Sequence, residues 1–221
     1  MLTDLKPLIR RTVEIDYTHK HRHLGGSLSA LPIIAEIFNN ALREPAYTDV
    51  FILSKGHAAP AYYAVLEAIG FHPDVSLPHP DYDPENGIPC TTGSLGHGLP
   101  VAVGYALGFK MNGDNDHGCV HVLLGDGECL EGTTWEALRL AQHLGLKDYL
   151  KIYVDCNGWQ GSCRTLCEAY YVLASMSAIV FPMKLIDTKR GAGVSLFEKN
   201  PDWHTHLITD AEYKQIMEEL K

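Results

Sequence analysis

Residues 119–154 read apolar, then amphipathic, then apolar again: "CVHVLL", "TTWEALRLAQHLGL", "YLKIYV". The flanking runs are short and rich in β-branched and aliphatic residues, which suits buried strands. The middle stretch places Trp135, Leu138 and Ala141 on one helical face. Two strands joined by a helix through short turns run parallel with a right-handed crossover. A parallel sheet needs cover on both faces. With 221 residues, 46% of them hydrophobic, the chain can build it. The class read from this unit is α/β, and the chain is expected to form a single domain over residues 1–221.

Other segments fit around that unit. "LTDLKPLIRRTVEIDYTH" has Leu5, Leu8, Ile9 and Val13 at helical spacing. "GGSLSALPIIAEIFNNAL" predicts a second helix after a glycine pair, with Ser27 or Ser29 as its cap. "VFILS" (50–54) predicts a strand, "APAYYAVLEAIG" a helix ending at Gly70, and "LPVAVGYALGFKM" a further helix. Residues 72–92 hold five prolines and no periodicity, which predicts a long irregular loop, a kind usually functional or disordered.

A net charge of −9 with no basic run argues against nucleic-acid binding. The opening residues lack the apolar core of a secretory signal. The longest weakly polar run, 169–181, is too short and Ser-rich for a membrane span. Six cysteines (Cys90, Cys119, Cys129, Cys156, Cys163 and Cys167) show no Cys-x-x-Cys spacing and read as reduced thiols. The expectation is a soluble, cytoplasmic chain without membrane or nucleic-acid partners.

The first strand of the unit ends in "GDGECLEG" and the second in "DCNGWQG". Gly125-Asp126-Gly127 could be only a tight turn. Yet ligands of parallel sheets collect at the carboxyl ends of the strands. If these strands are neighbours, Asp126 stands beside Asn157, 31 positions further along. A carboxylate, an amide carbonyl and a nearby main-chain carbonyl make a hard-oxygen site for Mg²⁺ or Ca²⁺. The glycines let backbone approach a diphosphate.

"RHLGGSLSA", "LSKGHAAPAYYAVL", "HPDY", "TTGSLGHGLPVAVGYALG", "GDGECLEGTTWEAL" and "GVSLFEKNPDWH" resemble, in that order, the amino-terminal half of transketolases. The likeness is greatest to the split form, in which that half is a separate polypeptide. The resemblance implies the thiamine-diphosphate-binding fold: a parallel sheet with helices on both faces. It implies that Asp126 and Asn157 bind the metal with the main-chain carbonyl of Trp159, and that Gly93, Leu95, Gly125 and Gly127 line the diphosphate and thiazolium. His57 would meet cofactor phosphate. His23, His79 and His204 would surround the reacting carbon, and Glu131 and Glu136 would sit near a subunit interface. Histidine suits proton transfer at sugar oxygens because it titrates in the useful range.

Blander readings stand beside these. "THKHRHLGG" could be a surface metal strip through His19, His21 and His23, or a solvated stretch. His97 reads as packing or capping, Trp135 with Tyr62 and Tyr63 as core, and Cys163 with Cys167 as ordinary thiols. After "NGWQG" the chain is shorter than the family pattern, and "WHTH" replaces the usual Trp-His-Gly. The pyrimidine-binding domain has no counterpart here. The resemblance therefore implies a partner chain carrying that domain, in an α2β2 assembly acting on sugars or sugar phosphates. A non-catalytic scaffold, or acyl transfer from an α-keto acid, are the rival readings.

Overall fold

A computed structural model describes residues 2–40, 49–112, 118–160, 163–164 and 180–221. Strands β1 (Val50–Leu53), β2 (Val120–Gly125) and β3 (Leu150–Cys156) are followed by the short antiparallel pair β4 (Trp159–Gln160) and β5 (Cys163–Arg164), then β6 (Met183–Asp187). The main sheet has the order β1-β2-β3-β6, and every pairing in it is parallel. Successive side chains of a strand point to opposite faces, and here both faces are covered. Phe51, Leu53 and Leu123 join one core; Ile52, Val120, Val122, Leu124, Ile152 and Val154 join the other. That is why these strands read as unbroken apolar runs. His121 is tolerated within one because its ring bridges the Asp49 carboxylate and the Tyr153 hydroxyl.

Helices α1 (Lys6–His19), α2 (Leu24–Asn40) and α3 (Ala59–Ala68) cover the first face, and α4 (Gly98–Asn112) and α5 (Gly132–His143) the second. The α/β class and the two-sided cover expected from the sequence are what the chain adopts. The expected start of α2 is not. Helix α2 begins at Leu24, so the glycine pair lies inside its first turn, and Ser27 and Ser29 are buried helical residues rather than caps. The cause is tertiary. A Cβ at Gly25 would lie 3.1 Å from Arg190 Nε, and one at Gly26 would lie 3.3 Å from the His57 ring.

Residues 72–92 are largely irregular, with a tight turn at Pro84–Asn86 closed by an antiparallel bridge between Asp83 and Ile88. The Tyr62 hydroxyl donates to the Gly87 carbonyl at 2.5 Å, and the Tyr63 hydroxyl to the His79 carbonyl at 3.1 Å. Both tyrosines are core, as expected, and their polar tips fix this loop. Trp135 is half-buried against the second core.

A satellite core of Val13, Leu24, Leu28, Phe197, Ile208 and Ile216 holds α6 (Ser195–Lys199) and α7 (Asp210–Glu219) against the start of α2. Thr209 and Glu212 cap α7 reciprocally. This packing carries residues 188–206 back over the carboxyl end of the sheet. Among the described residues no helix is long and apolar enough to cross a membrane. Cys90, Cys119, Cys129 and Cys156 are free thiols. The side chains of Cys163 and Cys167 lie outside the described residues, as does most of the stretch after "NGWQG" in which the chain is expected to be shortened.

Candidate active site

The parallel register pairs Gly125 with Asp155, so β2 and β3 end side by side. Gly125-Asp126-Gly127 is no hairpin, because the strand behind it is parallel to its neighbour; Asp126–Leu130 forms a tight helical turn instead. The buried Glu128 fixes that turn. Its Oε2 accepts from the Gly125 N–H at 2.9 Å. Its Oε1 accepts from the Ser54 hydroxyl at 2.6 Å and the Gly96 N–H at 3.0 Å. One carboxylate thus ties together three loops at the end of the sheet.

Asp126 and Asn157 meet across the strand ends. Asp126 Oδ2 accepts from the Gly158 N–H at 2.8 Å, while Asn157 Oδ1 accepts from the Trp159 N–H at 3.0 Å. The Asn157 amide is oriented from beneath, since its Nδ2 donates to Ser29 Oγ at 3.1 Å. Ser29 in turn donates to Asp155 at 2.7 Å. Asp155 is fully buried and pairs with the buried Lys55 ammonium at 2.5 Å; the Thr188 hydroxyl donates to its other oxygen.

Above this floor lies a cleft of about 190 Å³. It is lined by Gly93, Leu95, Gly125, Asp126, Gly127, Asn157 and Trp159, and by the imidazoles of His23, His57, His79 and His204. The His23 ring centre lies 5.0 Å from that of His204 and 5.3 Å from that of His57. Burial is the main reason that all four titrate below the ordinary imidazole range. It lowers His23 to about 4, with His204, His79 and Arg190 adding to the effect. It holds His57 well below the ordinary imidazole range, helped by Lys55, and it lowers His79 and His204 as well. At neutral pH these rings are uncharged.

The strip reading of the amino-terminal histidines fails on geometry. His21 is buried and hydrogen-bonds the Val75 carbonyl at 2.9 Å, while His23 turns into the cleft. Among the described residues no three His, Cys, Asp or Glu side chains gather as metal ligands. His97 stays outside the cleft and bonds Ser94 and Leu95 locally. Glu131 is half-buried beside Gly96, and Glu136 is exposed on α5. Lys55, Glu128 and Arg190 also line the cleft. Sequence reading passed over them although each lies in or next to a quoted motif, because a charged side chain usually reads as solvated.

The residues present fit a metal–diphosphate group. Asp126, Asn157 and the Trp159 carbonyl are hard oxygen donors of the kind Mg²⁺ and Ca²⁺ take. Lys55 and Arg190 bring positive charge suited to phosphate oxygens. Room comes from missing side chains. Gly93, at φ +143°, has no Cβ to press on the His79 ring, and a Cβ on Gly56 would lie 2.8 Å from Gly93 Cα.

Residues 8–163 match the family model described as transketolase, thiamine diphosphate binding domain. An apulose-4-phosphate transketolase subunit from Actinobacillus succinogenes is 33% identical, over 90% of this chain and 87% of that protein. Its counterpart in Phocaeicola vulgatus is 31% identical, over 96% and 90%. A solved transketolase from Leishmania mexicana superposes with a TM-score of 0.75 at 25% identity, covering 98% of this chain but only 40% of the other. The chain belongs to the transketolase family, as a thiamine-diphosphate-binding amino-terminal domain.

Proposed function

We propose that this chain is the diphosphate- and metal-binding half of a split transketolase, which transfers a two-carbon ketol unit from a ketose donor to an aldehyde acceptor. The observation that carries the reading is the convergence of Asp126 and Asn157, from neighbouring strand ends, on the cleft that also holds four imidazoles. Asp126, Asn157 and the Trp159 carbonyl would hold Mg²⁺ (or Ca²⁺). His57, Gly93, Leu95, Gly125 and Gly127, with Lys55, would seat the diphosphate and thiazolium. Thiamine diphosphate, when bound, supplies the electron sink for carbon–carbon cleavage. The chain binds and orients: the rings of His23 and His79 exchange hydrogen bonds and protons with the oxygens of the sugar, and His204 hydrogen-bonds them.

The proposed partner is a pyrimidine-binding subunit in a two-plus-two assembly in the cytoplasm. Both of the split relatives are named as single subunits of a transketolase, and the chain spans about 40% of the solved transketolase. The cleft volume is also below the roughly 300–1,000 Å³ usual for ligand sites, which fits a site with one wall elsewhere. The test is turnover of ketose phosphates with thiamine diphosphate and Mg²⁺. Activity is expected once the chain is mixed with a pyrimidine-domain partner; turnover by the chain alone would refute the half-site reading.

A further inference from the structure

One contact in the cleft fixes a chemical identity that the family likeness leaves open. Arg190 Nη2 lies 2.9 Å from His204 Nδ1. A guanidinium stays protonated and has only donors, so Nδ1 of His204 must be the acceptor. The ring's single proton is then on Nε2. We infer that Arg190 is a positioning residue: it holds His204 as the neutral Nε2–H tautomer, so that this imidazole donates a hydrogen bond to a substrate oxygen and does not act as a base.

Arg190 is itself held from two sides. Nη2 also donates to the Trp203 carbonyl at 3.3 Å, so the guanidinium grips the 203–204 backbone as well as the ring. The adjacent Gly191 N–H donates to the Gly25 carbonyl in the first turn of α2 at 3.0 Å. The arginine side chain packs on that turn where Gly25 has no Cβ; one built there would lie 3.3 Å from Arg190 Cγ. Arg190 is only 5% exposed. A second proton on His204 would have to sit at Nδ1, directly against this cation. The other groups around the ring give it no counter-charge: His23 and His57 stand 5.0 and 6.1 Å away, ring centre to ring centre, and Lys55 adds positive charge. The nearby carboxylates Asp126, Asp155 and Asp202 act on Arg190. Proton acceptance from a sugar hydroxyl is thereby left to the other imidazoles of the cluster.

The inference deepens the proposed site role of His204, but the tautomer belongs to the chain itself and is measurable without turnover. The full chain, labelled with ¹⁵N, is studied by long-range ¹H–¹⁵N correlation of the imidazoles, with His204 assigned through His204→Gln. The expected spectrum shows bare Nδ1 and protonated Nε2 on His204 at neutral pH. Arg190→Lys, which keeps an obligate donor, should preserve that pattern. Arg190→Met should mix the tautomers and raise the midpoint toward about 6.5. A protonated Nδ1 in the wild type would overturn the inference, and so would a methionine variant with unchanged tautomer and midpoint. If that variant does not fold, the wild-type spectrum still decides. A wild-type chain that shows the tautomer yet gives no ketol transfer with its partner would refute the proposed function and leave this inference standing.

Discussion

Buried polar groups at the carboxyl end of the sheet survive because most have a built partner, and the exceptions are where pH acts. Asp16, near the end of α1, is 1% exposed, and its Oδ1 has no hydrogen-bond partner among the described residues. Burial raises it to about 7, against the backbone N–H groups of Arg22 and His23 that favour its charge. Its folded value is above the unfolded one of about 3.9. Its contribution to stability is therefore present below that unfolded value and lost as pH rises through 7. His23 has the opposite sign: with a folded value of about 4, it costs stability as pH falls from about 6.5. Asp16→Asn should accordingly stabilise the chain at pH 8, by roughly 2–4 kcal/mol, with the gap closing toward pH 4. Denaturant unfolding across that range checks it; an equal effect at both ends would contradict the burial account. Neither Asp16 nor the buried partners of the site was legible in sequence. Lys55 and Arg190 look like surface charge until Asp155 and His204 are brought to them from 100 and 14 residues away. The histidines were legible because their glycine- and proline-rich surroundings carry the family pattern.

At the level of elements, the strand–helix–strand unit could be read directly, since apolar runs and a helical stripe are local signals. Helix α2 could not. Capping rules placed Ser27 or Ser29 at its start, yet the serine chemistry went to the site: Ser29 holds Asn157 and Asp155. The glycine pair that looked like a helix boundary is instead the surface on which Arg190 and His57 lie. Residues 72–92 were legible as irregular, but not that two core tyrosines would pin them and so present His79. Gly26→Ala separates propensity from function. In a helix, alanine is favoured over glycine by about 1 kcal/mol, but the new Cβ would press on the His57 ring from 3.3 Å. The expected variant melts no lower than the wild type while binding thiamine diphosphate about tenfold more weakly. Thermal unfolding beside a binding titration reads both, and unchanged affinity would remove His57 from the diphosphate site.

At the level of the whole molecule, a single parallel sheet with the order β1-β2-β3-β6 puts every strand's carboxyl end on one edge. Loops separated by up to about 180 residues therefore meet there, from His23 at one end to His204 at the other. The central claim is that Asp126 is one jaw of a metal clamp for a diphosphate, and the most direct measurement is Mg²⁺-dependent thiamine diphosphate binding by calorimetry. It is made on the chain assembled with a pyrimidine-domain partner, comparing wild type with Asp126→Ala. Binding that needs Mg²⁺ in the wild type, and is lost in an Asp126→Ala variant that still assembles, is the predicted result. Equal, Mg²⁺-independent binding by both proteins would contradict it.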